Sequence, residues 1–280
     1  MTPAANVPVT GRGRGPGDLL DDLRVLATRI ATEAAELLVE RLSQTRSEVS
    51  TKTSRTDMVT EMDRTSEALL VERILAARPD DAILGEEGAK VHGTSGVRWV
   101  VDPIDGTTNY LYGHPGFSVS VAAELDGEAV VGIVVDPLHA DVFSAVRGRG
   151  ATRNGERIRV SARSELATAL VATGFAYDAS RRQRQAAVVA ALIGRVRDIR
   201  RMGAASVDLC SVACGRVDAY YEKGLGPWDL AAGVLIASEA GASTGDLDGG
   251  PPSGGFVLAA APGLFDELRG VLRAARVDEA

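Results

Sequence analysis

The sequence predicts a mixed α/β (α+β) chain of stacked helical and sheet layers. Three patterns along its 280 residues predict it. Two stretches near the start carry apolar residues at helical spacing. Residues 116–160 read as strands parted by turn residues. From 169 onward, strand-like and helix-like runs alternate.

Taken in order, "DLLDDLRVLATRIATEAAELLVERL" (18–42) places Leu19, Leu23, Leu26, Ile30 and Ala34 on one side of an amphipathic helix. A polar Ser/Thr-rich stretch follows. A second helix is predicted to open at Asp63 and to stop before Pro79, because the residue ahead of a proline is pushed out of helical geometry. "AILGEEG" and "RWVVD" read as strands that end in acids. "FSVSVAAEL", "AVVGIVVD" and "DVFSAV", with turns at Asp126-Gly127 and Pro137, suggest an antiparallel meander. Beyond it come strand 169–175, a helix through "RQRQAAVVAALIGRV", a short strand "DIRRMG", the helix "AASVDLCSVACG" and the strand "VDAYYE". "PWDLAAGVLIASEAG" is a helix with proline in its first turn and glycine past its end. A "GGPPSGG" surface loop, the strand "GGFVLAAAP" and a helix to about Arg276 close the chain. Residues 1–17 are expected to be a disordered tail, and 18–277 one domain.

Composition bounds the function. Hydrophobic residues make up 45% of the chain, charged ones 25% and aromatics 4%, an ordinary globular balance. A formal charge of -7 does not suit a general nucleic-acid binder. No apolar run approaches the ~18 residues of a membrane helix, and the first residues lack a signal peptide's apolar core. The two cysteines, Cys210 and Cys214, share no histidine in a zinc pattern and read as free thiols of a cytoplasmic protein.

The chemistry concentrates in acids at strand ends and helix starts, where α/β folds place ligands. They are Asp63, Glu86 and Glu87, Asp102 and Asp105 in "WVVDPIDGTTNY", Glu222 and Asp229. Singly, each reads as a solvated acid or helix cap; together, beside apolar strands, they read as a binding set. An oxygen-only set selects a hard cation, Mg²⁺ first and Mn²⁺ as its substitute. Pro103 stiffens the turn, so Asp102, the Ile104 carbonyl and Asp105 can point one way. Gly106-Thr107-Thr108 then opens a short helix whose free N–H groups suit a phosphate. Cations beside an anion cradle, with no P-loop lysine, suggest metal-assisted hydrolysis of a phosphate ester.

"GEE", "WVVDPIDGTTNY" and "GPWDLAAG" together resemble the lithium-sensitive, Mg²⁺-dependent inositol monophosphatase family, and "RRMGAASVDLCSVACGRVDAYYEKGLGPWD" is similar to its bacterial SuhB-type branch. The resemblance runs from about residue 18 to 275. It implies a layered αβαβα sandwich of the sugar-phosphatase type and a cytoplasmic homodimer that hydrolyses inositol-1-phosphate and related small polyol or sugar phosphates. By the same resemblance, Glu86, Asp102, the Ile104 carbonyl, Asp105 and Asp229 hold metal. Thr107 and Asp63, with Glu86, orient the attacking water. Gly106 and Thr107 offer backbone N–H groups to phosphate, Glu222 takes inositol hydroxyls, and Gly203 and Ala205 line the pocket. Whether two or three metals act stays open.

Other phosphatases on this scaffold remain alternatives: histidinol phosphatase, fructose-1,6-bisphosphatase or a 3′-phosphoadenosine phosphatase. So does a regulatory SuhB-like binding role in the transcription and RNA machinery. Trp99 and Trp228 are read as packing anchors, and His92, His114 and His139 as surface residues. Arg181, Arg182 and Arg184 are either a solvated helix face or a gate that takes a second phosphate. In SuhB-type proteins the region of Arg200 and Arg201 lies near a subunit interface, so the resemblance implies a role in dimer packing. The loop "KTSRTD" departs from the family, many members of which have proline near Arg55; Lys52 lies in that loop.

Overall fold

The structure is a computed structural model that describes residues 16–48 and 57–279. The expected tail and the loop that holds Lys52 and Arg55 lie outside those residues, except that the first helix reaches back to Pro16.

Five layers stack. Helices α1 (Pro16–Glu48) and α2 (Asp57–Ala77) form the first. The second is an eight-stranded sheet in the order β2-β1-β3-β4-β5-β6-β7-β8. Its strands are β1 (Ala82–Gly85), β2 (Lys90–Val91), β3 (Val97–Asp105), β4 (Ser118–Leu125), β5 (Glu128–Asp136), β6 (Asp141–Val146), β7 (Ala151–Arg153) and β8 (Glu156–Arg157), with the short helix α3 (Thr107–Tyr112) between β3 and β4. The fourth layer is a five-stranded sheet, β10-β9-β11-β13-β12. It contains β9 (Leu170–Thr173), β10 (Asp198–Arg200), β11 (Ala219–Glu222), β12 (Ser243–Gly245) and β13 (Val257–Ala260). Helices α5 (Ala205–Ala213) and α6 (Pro227–Glu239) fill the space between the sheets, and α4 (Ala179–Leu192) and α7 (Phe265–Ala274) cover the outer face of the second. This is the αβαβα sandwich expected.

Three apolar clusters match the seams between layers. Leu23, Ile30 and Leu38 of α1 and Leu70 and Ile74 of α2 meet Trp99, Val101 and Val121. Leu209 of α5 and Ile236 of α6 meet Val134, Tyr220 and Val257. Val188 and Leu192 of α4 and Leu268 and Leu272 of α7 meet Val171 and Leu258. Helix α6 lies so close to the first sheet that a Cβ at Gly132 would sit 2.8 Å from the Ala232 carbonyl oxygen. Trp99 is fully buried and donates its indole N–H to Asp81 at 2.9 Å, the role of a packing anchor. The three histidines are exposed.

Helix α2 corrects one expectation. It starts at Asp57, so Asp63 lies inside the helix and does not open it. Asp63, Ser66, Glu67, Leu70 and Ile74 recur at helical spacing on the buried face, and this tertiary contact carries the helix back through the polar residues ahead of Asp63. Strands β2, β7, β8 and β12 were not expected; each is two or three residues long. Cys210 is buried and Cys214 half-buried, and both are free.

Candidate active site

Asp102 and Asp105 share strand β3, three residues apart. In a regular strand that spacing would send their side chains to opposite faces. Here Asp102 pairs with Ser120 and Asp105 with Ser118, so two residues of β3 oppose one of β4. Pro103 supplies no N–H to the ladder, and the extra residue is a bulge. The bulge turns both carboxylates to one side. With Asp229, in the first turn of α6, they bring one oxygen each to within 4.8 Å of one another.

Each acid is fixed separately. Asp102 accepts the Ile104 N–H at 3.0 Å through Oδ1, while its buried Oδ2 has no hydrogen-bond partner. Asp105 reaches the start of α5, accepting the Ala205 N–H at 3.2 Å and the Ser206 N–H and hydroxyl at 2.6 and 2.5 Å. Asp229 accepts the Gly226 N–H at 2.6 Å. Burial, followed by the neighbouring carboxylates, lifts the Asp102 carboxyl well above its usual range and raises Asp229 to about 8. Burial also raises Asp105, against the opposing pull of its Ser206 and Ala205 hydrogen bonds. Glu86 is raised by burial, against the opposing influence of Asp102 and with the further push of Asp105, Glu87 and Glu67. A converging set of carboxylates that resists ionisation, one with an orphaned buried oxygen, fits a divalent cation with oxygen ligands.

All the predicted site residues but Asp63 line one cleft of about 310 Å³. Glu86, Asp102, Ile104, Asp105 and Asp229 form one wall. Gly106 and Thr107 form its floor at the start of α3, with Gly106 at φ +90° in a left-handed turn that favours glycine. Asn109 ties α3 to its surroundings, donating to the Gly116 and Met202 carbonyls at 2.6 and 2.7 Å. Gly203, Ala205 and Glu222 line the same cleft, with Ala205 held to Asp105 through its N–H. Glu222 accepts the Tyr220 hydroxyl at 2.6 Å, and burial pushes its carboxyl up to about 7.

Asp63 is buried behind the Glu86–Glu87 turn, and its carboxyl is raised to about 8 by burial and then by Glu87, Glu86 and Glu67. Its expected partner is turned elsewhere: the Thr107 hydroxyl donates to the Ile104 carbonyl at 3.0 Å. That carbonyl keeps a second lone pair for a cation.

Several further residues line the cleft. Arg201 lines the cleft and acts electrostatically on Asp105, Asp208 and Glu222. Lys223, Trp228 and the 80% exposed Tyr177 also line it. The three arginines of α4 divide. Arg181 donates to the Lys223 carbonyl at 3.3 Å beside the cleft wall, while Arg182 and Arg184 are exposed and donate to the Ala176 and Glu279 carbonyls.

A model of the inositol monophosphatase family matches residues 19–276. The chain belongs to the inositol monophosphatase family. As a member it is a phosphoric monoester hydrolase. It is 44% identical over 272 residues to the inositol-1-monophosphatase SuhB of Mycobacterium tuberculosis, covering 90% of this chain and 93% of that one. It is 40% identical to the Nus factor SuhB of Pasteurella multocida, covering 91% and 97%. The inositol monophosphatase structure from Anabaena superposes with a TM-score of 0.80 at 36% identity, over 91% of this chain and 97% of that one. No described helix is long and apolar enough to cross a membrane.

Proposed function

We propose that this inositol monophosphatase family member is a cytoplasmic, lithium-sensitive and Mg²⁺-dependent phosphatase that releases phosphate from inositol-1-phosphate and similar small polyol phosphates, as a homodimer. The observation that carries the reading is the orphaned Asp102 Oδ2, buried where the oxygens of Asp105 and Asp229 converge at the wall of the cleft. Glu86, Asp102, the Ile104 carbonyl, Asp105 and Asp229 hold the cation. Bound there, Mg²⁺ supplies Lewis acidity toward a phosphoryl group.

The chain's own groups do the rest. The Gly106 and Thr107 N–H groups at the start of α3 bind phosphate oxygens. Glu86, which lines the cleft, orients the attacking water and accepts its proton; Thr107 and the buried Asp63 join it once the Thr107 hydroxyl turns from the Ile104 carbonyl. Glu222 accepts hydrogen bonds from substrate hydroxyls against a wall formed by Gly203 and Ala205. A carboxylate lining the cleft suits a polyol better than an apolar leaving group.

The likeness to the Pasteurella Nus factor SuhB supports a second, regulatory role carried by the surface of the same molecule. Phosphate release over a panel tests the substrate: inositol-1-phosphate, glycerol-2-phosphate, histidinol phosphate, fructose-1,6-bisphosphate and 3′-phosphoadenosine-5′-phosphate. Preference for inositol-1-phosphate, with inhibition by lithium, is expected. Preference for another member of the panel overturns the substrate and leaves the cation chemistry standing.

A further inference from the structure

Helix α2 buries an unusual face. Its first half is polar at the positions that continue as Leu70 and Ile74: Asp63 and Glu67 are 3% and 6% exposed, and Ser66 is fully buried. Ser66 is accounted for by the Pro103 carbonyl, to which its hydroxyl donates at 3.3 Å. Glu67 is the one the proposed chemistry does not use. Its two carboxylate oxygens accept backbone N–H groups from the turn after β1, Oε2 from Glu87 and Oε1 from Ala89, both at 2.9 Å. The turn is closed again by the Gly85 N–H on the Ala89 carbonyl at 2.8 Å, and Glu86 donates its N–H to Val101 of β3 at 3.3 Å. A side chain at position 85 would displace the Glu67 carboxylate, because a Cβ there would overlap it.

This carboxylate stands among other acids. It acts on Asp63, Glu86 and Glu87 so as to raise all three. An apolar residue would avoid that repulsion, but would leave two N–H groups of the turn unpaired. A glutamine could accept one of them and would present an amide donor to the other. The arrangement therefore needs an acceptor at both ends, and what it holds in place is the segment that carries Glu86 toward Asp102.

We infer that Glu67 is a positioning residue for Glu86, one that sets the affinity of the site for its cation without touching cation or substrate. The inference rests on the proposed reading of Glu86 as a ligand. Groups that orient a metal ligand from behind change metal affinity by about 10–100-fold when altered.

The test is Mg²⁺ titration of the full chain by calorimetry, for wild type, Glu86→Gln, Glu67→Gln and Gly85→Ala. Glu67→Gln is expected to weaken Mg²⁺ binding by about 10-fold, and to leave the substrate KM unchanged once Mg²⁺ saturates. Gly85→Ala attacks the same contact from the other side and is expected to weaken binding similarly, with the double variant no worse than either single one. If Glu86→Gln weakens binding and Glu67→Gln binds like wild type, the inference is overturned, even if the variant melts earlier without metal. If Glu67→Gln does not fold, wild-type Mg²⁺ affinity in Gly85→Ala overturns it. If neither glutamate variant weakens binding, the reading of Glu86 fails and the inference with it.

Discussion

Asp105 and Ser206, 101 residues apart in the chain, are joined twice: the serine N–H and its hydroxyl both donate to the same carboxylate oxygen. Ser206 is in turn within 2.8 Å of the Ser118 hydroxyl, opposite Asp105 in the sheet. The end of β3 is thus fastened to the first turn of α5, where unpaired helix N–H groups and the helix dipole stabilise a negative charge. Truncation to Ser206→Ala removes a charge-assisted bond from a buried carboxylate. The variant is expected to lose about 1–3 kcal/mol in a denaturant melt and to bind Mg²⁺ about 10-fold more weakly. Wild-type stability and affinity would show that the clamp holds nothing.

Stability should depend on pH in a direction set by the acids. Asp63 and Asp229 are raised to about 8 and Glu222 to about 7, above their unfolded values near 4. The metal-free folded chain therefore binds more protons than the unfolded chain between about pH 4 and 8, and loses stability as pH rises through that window. Thermal melts in a chelator are expected to fall from about pH 5 to 8.5, and millimolar Mg²⁺ to stabilise most at the alkaline end. A metal-free melting temperature that climbs over this range contradicts the burial of these acids.

Glu222 lines the cleft and is not among the three acids whose oxygens converge, so it should govern recognition more than turnover. Glu222→Gln is expected to raise KM for inositol-1-phosphate by about 10-fold, the value of one hydrogen bond donated to a charged acceptor, with a smaller effect on an aryl phosphate that has no hydroxyls. Equal losses on both substrates would place Glu222 in the chemistry instead.

The seam between α6 and the first sheet predicts a purely structural defect. Gly132→Ala adds a methyl where the Ala232 carbonyl oxygen lies 2.8 Å away and its Cα 3.0 Å away. The backbone of α6 has no side-chain rotamer with which to yield. A cost of about 1–3 kcal/mol in unfolding is expected, with substrate KM unchanged. An unaffected melt would mean the two layers slide apart at no cost.

Much of this was legible in the sequence, and the exceptions share a cause. Long periodic segments such as α1 and α6 announce themselves, and "DPIDGT" shows its two acids and its proline side by side. What the sequence does not display is the bulge that makes those acids converge, since it depends on the register against Ser118 and Ser120. Strands β2, β7, β8 and β12 have too few residues to show alternation. Ser206 carries no motif, because its partner is distant in the chain. Glu67 left a fainter trace: it follows Asp63 by one helical turn, and the two occupy a face that becomes Leu70 and Ile74. Arg201 carries no motif for the cleft, because its place there goes with the turn at Gly203, φ +96°, just ahead of α5.

The central claim is that the carboxylates around Asp102 hold the divalent cation on which hydrolysis depends. It is tested most directly by phosphate release from inositol-1-phosphate as Mg²⁺ is returned to the stripped protein, beside Asp102→Asn. The expected result is no release without Mg²⁺, saturable recovery in the wild type, and a folded variant that stays inactive at every Mg²⁺ concentration. Hydrolysis by the stripped protein, or by Asp102→Asn at the wild-type rate, would contradict it.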